Sequence, residues 1–309
     1  MTDRYDLPFA TGYHAPVLLG PTLDALVTET NGTYVDATLG GGGHSAALLE
    51  RLGSDARVIG VDRDGEALAE ATARLGNDRR FETRHGSFID LEGLVGEDGP
   101  LDGVLFDLGV SSHQIDEAGR GFSFRHDAPL DMRMDRTQPV SAATLVNEAD
   151  EADLVRMLFV YGEEPRARRI VRALLAARPV ETTGQLAEVV RAAVPRLDEA
   201  KSVTRVFQAL RIAVNDELGA LETALDACVQ LVRRGGRVAV LSYHSLEDRR
   251  VKRFFRTGRF DETTPGRDVF GNSLAPFRDL TRQPVVADET EVAANPRARS
   301  ARLRVAERV

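Results

Sequence analysis

The sequence predicts an α/β fold, one large domain on a mostly parallel sheet with a smaller helical one. Three observations predict it. Short apolar runs alternate with helical stretches between Tyr34 and Asp107, as in a parallel sheet with crossover helices. Four consecutive glycines, Gly40 to Gly43, follow the first of these runs, where a strand turns sharply into a helix. Near the end, two short apolar runs read as an antiparallel pair.

Taken in order, Thr22 to Val27 is an amphipathic helix ahead of the first strand, Tyr34-Val35-Asp36. The glycine turn follows, and Ala46 to Leu52 continues it as a helix. A second βα unit comprises Arg57 to Asp62 and Glu66 to Leu75. Phe81 to His85 is a third strand, ending at Gly86-Ser87-Phe88, and Asp102 to Asp107 is a fourth. From Leu108 to Asp135 no period survives, and an irregular connection of that length reads as a lid or binding loop. Helical patterns return at Glu151 to Tyr161, Pro165 to Ala177 and Thr183 to Val194, with Thr182 or Thr183 as an N-cap. These define a helical insertion over residues 138–201, interrupting a domain made of residues 1–137 and 202–309. Ser202 to Asn215 and Leu218 to Arg234 are two further helices, the second closed by Gly235-Gly236. Arg237 to Tyr243 is a fifth strand that runs into a basic helix, His244 to Phe255. Gln283 to Ala287 and Ala301 to Ala306 form the closing pair.

With 309 residues and 42% hydrophobic content the chain buries a sizeable core. Cys228 is its only cysteine, at a core position of a helix, so intramolecular disulfides and cysteine metal clusters are excluded and the cell interior fits best. Met1 to Tyr13 lacks an apolar targeting core, and no run approaches the ~18 apolar residues of a membrane span, so a cytoplasmic protein is expected. A net charge of -8 argues against a protein that coats nucleic acid nonspecifically. Local basic clusters remain at Arg249, Arg250, Lys252, Arg253, Arg256 and Arg259, and from Arg297 to Arg308.

The glycine turn is the candidate binding site. Glycine admits positive φ and lets a ligand lie against the main chain, and the next helix offers unpaired N–H groups. Gly40-x-Gly42-x-x-Ser45, with Asp62 about 20 residues on to bond ribose hydroxyls, leaves a nicotinamide dinucleotide and S-adenosylmethionine both open. Asp36 favours the second, because a carboxylate there attracts an ammonium and repels a pyrophosphate. Asp107, ending the fourth strand beside the cleft, can bind the cofactor or polarise an exocyclic amine. His44 opens the helix after the glycines, where backbone contact with a cofactor is the natural role. His113 and His244 have no metal-ligand spacing, so no metal is expected, and neither a nucleophile elbow nor a Walker lysine is present.

The blocks Asp36-Ala37-Thr38-Leu39-Gly40-Gly41-Gly42-Gly43-His44-Ser45, Asp62-Arg63-Asp64, Asp107-Leu108-Gly109-Val110-Ser111-Ser112, Arg120-Gly121-Phe122-Ser123-Phe124, Leu130-Asp131-Met132-Arg133-Met134-Asp135 and His244-Ser245-Leu246-Glu247-Asp248-Arg249 closely resemble the bacterial ribosomal RNA small subunit methyltransferase H (MraW) family. The resemblance spans nearly the whole chain, including His14 to Leu19 and Val206 to Ile212. It implies a class I S-adenosylmethionine-dependent methyltransferase with a Rossmann-like, mostly parallel seven-stranded sheet, in which the helical insertion recognises RNA. The implied reaction is methylation of cytosine N4 in the decoding region of 16S rRNA, at position 1402 of that RNA, within the small ribosomal subunit. Gly42, Gly43, His44, Asp62, Phe88, Asp107 and Gln114 would contact the cofactor, with Phe88 on the adenine and Gln114 reaching it from the long loop. Some members form homodimers, which this chain leaves open. The chain departs from the family pattern at Gly20-Pro21 and at Tyr243, where phenylalanine is common. The rivals are a nicotinamide-dependent oxidoreductase and a non-catalytic ribosome-assembly factor on the same fold.

Overall fold

A computed structural model describes residue 9, residues 16–109 and residues 117–309. The chain divides into two compact units, Met1–Ser111 with Gly219–Val309, and Ser112–Leu218.

The first unit holds seven strands: β1 Thr33–Asp36, β2 Arg57–Asp62, β3 Phe81–His85, β4 Leu101–Asp107, β5 Val232–Ser242, β6 Phe277–Asp279 and β7 Arg302–Arg308. They form one sheet in the order β3-β2-β1-β4-β5-β7-β6, seven strands as the family resemblance implies. Every pairing from β3 to β5 is parallel, and β7 runs antiparallel to both its neighbours. Alternate side chains leave opposite faces of a strand, so Tyr34, Val58 and Leu105 enter one core and Val35, Ile59 and Val104 the other. Helices α1 Leu19–Leu26, α2 Gly43–Arg51 and α3 Gly65–Leu75 cover the first face. The short α4 Leu91–Val95 covers the second, with two later helices, α10 Glu217–Leu231 and α11 Ser245–Thr257. Burial on both faces explains why the strands read as apolar runs without alternation. Cys228 lies in the second core, fully buried, where desolvation raises its thiol.

The second unit contains α5 Ala142–Glu148, α6 Glu151–Val160, α7 Ala167–Ala177, α8 Thr183–Ala193 and α9 Glu199–Asn215. Their caps follow the sequence: Ser141 and Thr182 each form a capping box, and Asp150 accepts from the Asp153 N–H. The unit is wider than the helical periodicity marks, because α9 and residues 117–134 share its core. Leu130 and Met132 are buried there, and Asn215 accepts from the Met134 N–H at 2.8 Å while donating to the Met132 carbonyl at 2.8 Å. Arg120, also buried, donates to the Met134 carbonyl. These residues of the expected lid are therefore fastened; residues 110–116 lie outside the described residues.

Two expectations are corrected. Gly235-Gly236 does not cap a helix: α10 ends at Leu231, and Val232 already pairs with Leu101. Gly235 instead takes φ +79° at an irregularity in β5, where Arg233 is held by Asp102 at 2.5 Å. The closing pair is not formed by Gln283 to Ala287. Pro284 lacks the N–H a ladder needs, so that segment makes one isolated bridge, Val285 to Leu303, and the strand beside β7 is β6. A further helix, α12 Glu289–Ala294, lies between them and β7. Among the described residues, no helix is long and apolar enough to cross a membrane.

One arginine of the basic cluster from Arg297 to Arg308 is internal and a second shares its partner. Arg304 is 3% exposed and donates to Asp248 from α11 at 2.6 Å, and Arg302 joins the same carboxylate at 3.2 Å. Asp248→Ala would leave Arg304 a buried, uncompensated charge and is expected to cost about 3–5 kcal/mol in denaturant unfolding. The double variant Asp248→Leu/Arg304→Met should recover most of that loss.

Candidate functional site

The carboxyl ends of β3, β2, β1 and β4 stand side by side, and each carries a residue singled out from the sequence. After β1 the chain turns through the glycines. The Leu39 N–H reaches back to the Val61 carbonyl at 3.0 Å, and the Gly42 N–H closes on the Leu39 carbonyl at 2.8 Å. Gly40 has φ +50° and Gly42, the N-cap of α2, has φ +74°, a region that side chains with a Cβ rarely adopt. A Cβ at Gly42 would stand 3.0 Å from Leu75 Cδ1, whereas one at Gly40 would meet nothing within 4 Å among the described residues. The turn is thus packed from beneath and open on its outer side, as a cradle must be.

Asp62, ending β2, fixes the cradle. One carboxylate oxygen accepts from the Gly40 N–H at 2.8 Å and the other from the Asp64 N–H at 2.9 Å. Asp64 in turn caps α3 through the Glu66 N–H. Burial raises the Asp62 carboxyl above its ordinary value despite these donors. Phe88 follows β3; its ring is half-buried and packs edge-on against Phe106, with centroids 5.8 Å apart.

At the end of β4, Asp107 lies in a cluster of polar groups. Its N–H donates to Thr38 Oγ1 at 2.6 Å, and its Oδ1 accepts from the Tyr243 hydroxyl at 2.7 Å. Its Oδ2 lies 3.5 Å from His44 Nδ1, and His44 Nε2 lies 3.2 Å from the Val17 carbonyl. Asp36, 1% exposed, accepts from the Ser45 hydroxyl at 2.8 Å.

A model of the MraW methylase family matches residues 11–309. The chain belongs to the MraW methylase family. Its curated relatives agree: a ribosomal RNA small subunit methyltransferase H from Symbiobacterium thermophilum is 49% identical over 304 residues, covering 94% of this chain and 95% of that protein. The protein of the same name from Heliobacterium modesticaldum is 47% identical over 312 residues, covering 96% and 99%.

Of the residues this MraW-family sequence marked, Gly42, Gly43, His44, Asp62, Phe88 and Asp107 lie on or beside four adjacent strand ends. Gln114 and His113 lie outside the described residues. Asp36 is placed differently from expectation: its carboxylate is buried under the turn and bonded to Ser45, so it braces the cradle from within. His244 is a cap, its ring accepting from the Glu247 N–H at the start of α11. Tyr243 is the residue that motif reasoning passed over. It registered only as a departure from phenylalanine, yet its hydroxyl is the added polar handle that reaches Asp107. Burial and the Asp107 charge push its phenol well above the usual value, so it stays a donor.

Burial is also the first cause raising Asp36, to about 6, with the Asp107 charge adding to it and His44 and Ser45 opposing it. The folded state therefore keeps the Asp36 proton to higher pH than the unfolded chain, whose carboxyl titrates near 3.8. Its contribution to stability is present below the unfolded value and is lost as pH rises through about 6. Asp36→Asn should gain stability relative to the parent between about pH 4 and pH 7, on the order of 2–3 kcal/mol at the upper end. Unfolding midpoints of the two proteins across that range measure it; a constant difference would exclude the ionisation as its cause.

Proposed function

We propose that this protein transfers the methyl group of S-adenosylmethionine to N4 of one cytidine in the decoding region of 16S rRNA, in the cytoplasm. What supports this reading most directly is near full-length similarity to curated relatives named ribosomal RNA small subunit methyltransferase H, joined to a cradle whose residues suit that cofactor.

The fit rests on the open side of Gly40, on polar groups at β2 and β4, and on an anchored ring at β3. When bound, the cofactor supplies an electrophilic methyl on a positively charged sulfur. The Gly40 to Gly43 main chain offers close approach. Asp62 uses two acceptor sites on its backbone N–H partners and retains others for ribose hydroxyls. Phe88, held by Phe106, presents a surface to the adenine. Asp107 contacts the cofactor from β4.

Cytosine N4 is a weak nucleophile because its lone pair is delocalised into the ring. Acceptors that draw its N–H bonds out of the ring plane restore lone-pair character. The Asp107 carboxylate, oriented by Tyr243, is the candidate for that second role. The cytosine must be splayed from its neighbours to reach it. On α11, the exposed Lys252 and Arg256 are suited to contact phosphates, while Arg250 is engaged by Glu222 at 2.6 Å.

Small subunits from a strain lacking this methyltransferase, incubated with protein and labelled donor, should yield label only in N4-methylated cytidine on nucleoside analysis. Label elsewhere would overturn the acceptor, and cofactor binding without transfer would indicate a non-catalytic assembly factor. Asp107→Asn is expected to lower the single-turnover rate at saturating cofactor by about 10²-fold or more. An unchanged rate would confine Asp107 to cofactor binding.

A further inference from the structure

Within the helical unit, α6 and α7 border a groove of about 980 Å³. Arg156 and Phe159 come from α6, Arg168, Arg169 and Arg172 from α7, and Arg166 from the turn between them. The local sequence explains the placement. Ile170, Val171 and Leu174 bury one side of α7, which turns Arg168, Arg169 and Arg172 outward. Leu154 and Leu158 do the same for α6, leaving Arg156 exposed and Phe159 65% exposed.

Arg166 is held by Asp198 at 2.8 Å. Among the described residues, the side chains of Arg156, Arg168, Arg169 and Arg172 have no ion pair or hydrogen bond, and Glu151 is the one carboxylate lining the groove. In a chain of net charge -8, four unpartnered guanidiniums in one place make a local positive potential that attracts an anion. Phe159 adds a second requirement, since a flat apolar face beside cations suits a ligand that is itself part planar ring and part anion. The volume is at the upper end of the ~300–1,000 Å³ of small-molecule pockets, which suits a short stretch of polymer.

We propose that this groove binds a single-stranded segment of RNA, with the guanidiniums on successive phosphates and Phe159 stacked under a base. An acidic peptide would engage the arginines but leave Phe159 without a partner. The inference rests on RNA being the substrate, and it locates a contact in the helical unit separate from the glycine cradle.

The test is a fluorescence-anisotropy titration of the full chain with a short labelled single-stranded RNA, without methyl donor, from about 50 to 200 mM salt. Arg168→Ala/Arg172→Ala should weaken binding at least about tenfold at the low-salt end and reduce the slope of log affinity against log salt by about 1.4, at ~0.7 per phosphate contact. Phe159→Ala should weaken binding about 5-fold to 100-fold with the slope unchanged. Arg168→Lys/Arg172→Lys, which keeps the charge, should restore most of the slope. All variants should keep the parent's unfolding midpoint, because each position is exposed. Parental affinity and slope in the double alanine variant, or no RNA binding by the parent, would overturn the proposal. So would a labelled polyglutamate that binds the parent as tightly as RNA and is lost in the same variant. Methyl transfer by the parent to subunits reads the proposed function separately, so either can fail alone.

Discussion

The contact on which the site depends is the pair of backbone N–H groups held by the Asp62 carboxylate. One oxygen fixes Gly40 in the glycine turn and the other fixes Asp64 at the start of the next helix. Two βα turns, from adjacent strands, are thereby locked to each other by one side chain. Gly40 sits at positive φ with open space above it, a conformation with little packing to hold it in place. Burial disfavours the charge on Asp62, and the two N–H donors only partly offset that cost. Such a carboxylate has spare acceptor sites and gains from further donors, so ribose hydroxyls would complete what the backbone begins.

The second feature of the site is the packing of acids at the ends of β1 and β4. The Asp107 charge raises the cost of ionising Asp36, with Ser45 and His44 as the counterweight, while the Tyr243 hydroxyl donates to the Asp107 carboxylate. A surface pair would be screened by water, but here burial leaves short hydrogen bonds as the means of stabilisation. Orientation follows from the same contacts. Asp107 is gripped at its backbone by one neighbouring strand's turn and at its carboxylate by the residue after β5, which limits how it can turn toward a ligand.

Much of this was legible in the sequence. Three of the four strands from Tyr34 to Asp107, all but the edge strand β3, carry apolar runs buried on both faces, and the glycine run marks the turn. Asp62, Phe88 and Asp107 each stand at a strand end, so placing the strands placed the residues. What the sequence concealed were contacts between distant residues. Nothing near Arg304 shows that it is buried on Asp248, so its basic cluster resembled a solvated face. Nothing near Gly235 shows that Val232 already pairs with Leu101, so a glycine pair of the kind that commonly ends helices reads as a cap. Asp36 reads as a partner for the ligand because its serine partner, nine residues on, lies across the glycine turn in the first turn of α2. Residues 117–134 looked like a polar lid because their buried anchor, Asn215, is distant in sequence.

The arginines show why net charge alone says little about recognition. Arg304 and Arg302 share Asp248, Arg84 pairs with Asp98 and Glu82, and Arg211 pairs with Glu217, so much of the positive charge is neutralised inside the fold. An arginine whose fork is filled by a carboxylate must break that bond before it can hold a phosphate, and in the buried case of Arg304 the cost would exceed the gain. The cations of α6 and α7 carry no such debt. Their guanidiniums are solvated and unpartnered, beside an aromatic ring that water stabilises poorly. An acidic chain arranged in this way suppresses indiscriminate binding to phosphate everywhere except where unpaired arginines are concentrated. Where the unpaired charge lies, rather than how much of it there is, then decides which part of the surface attracts an anion.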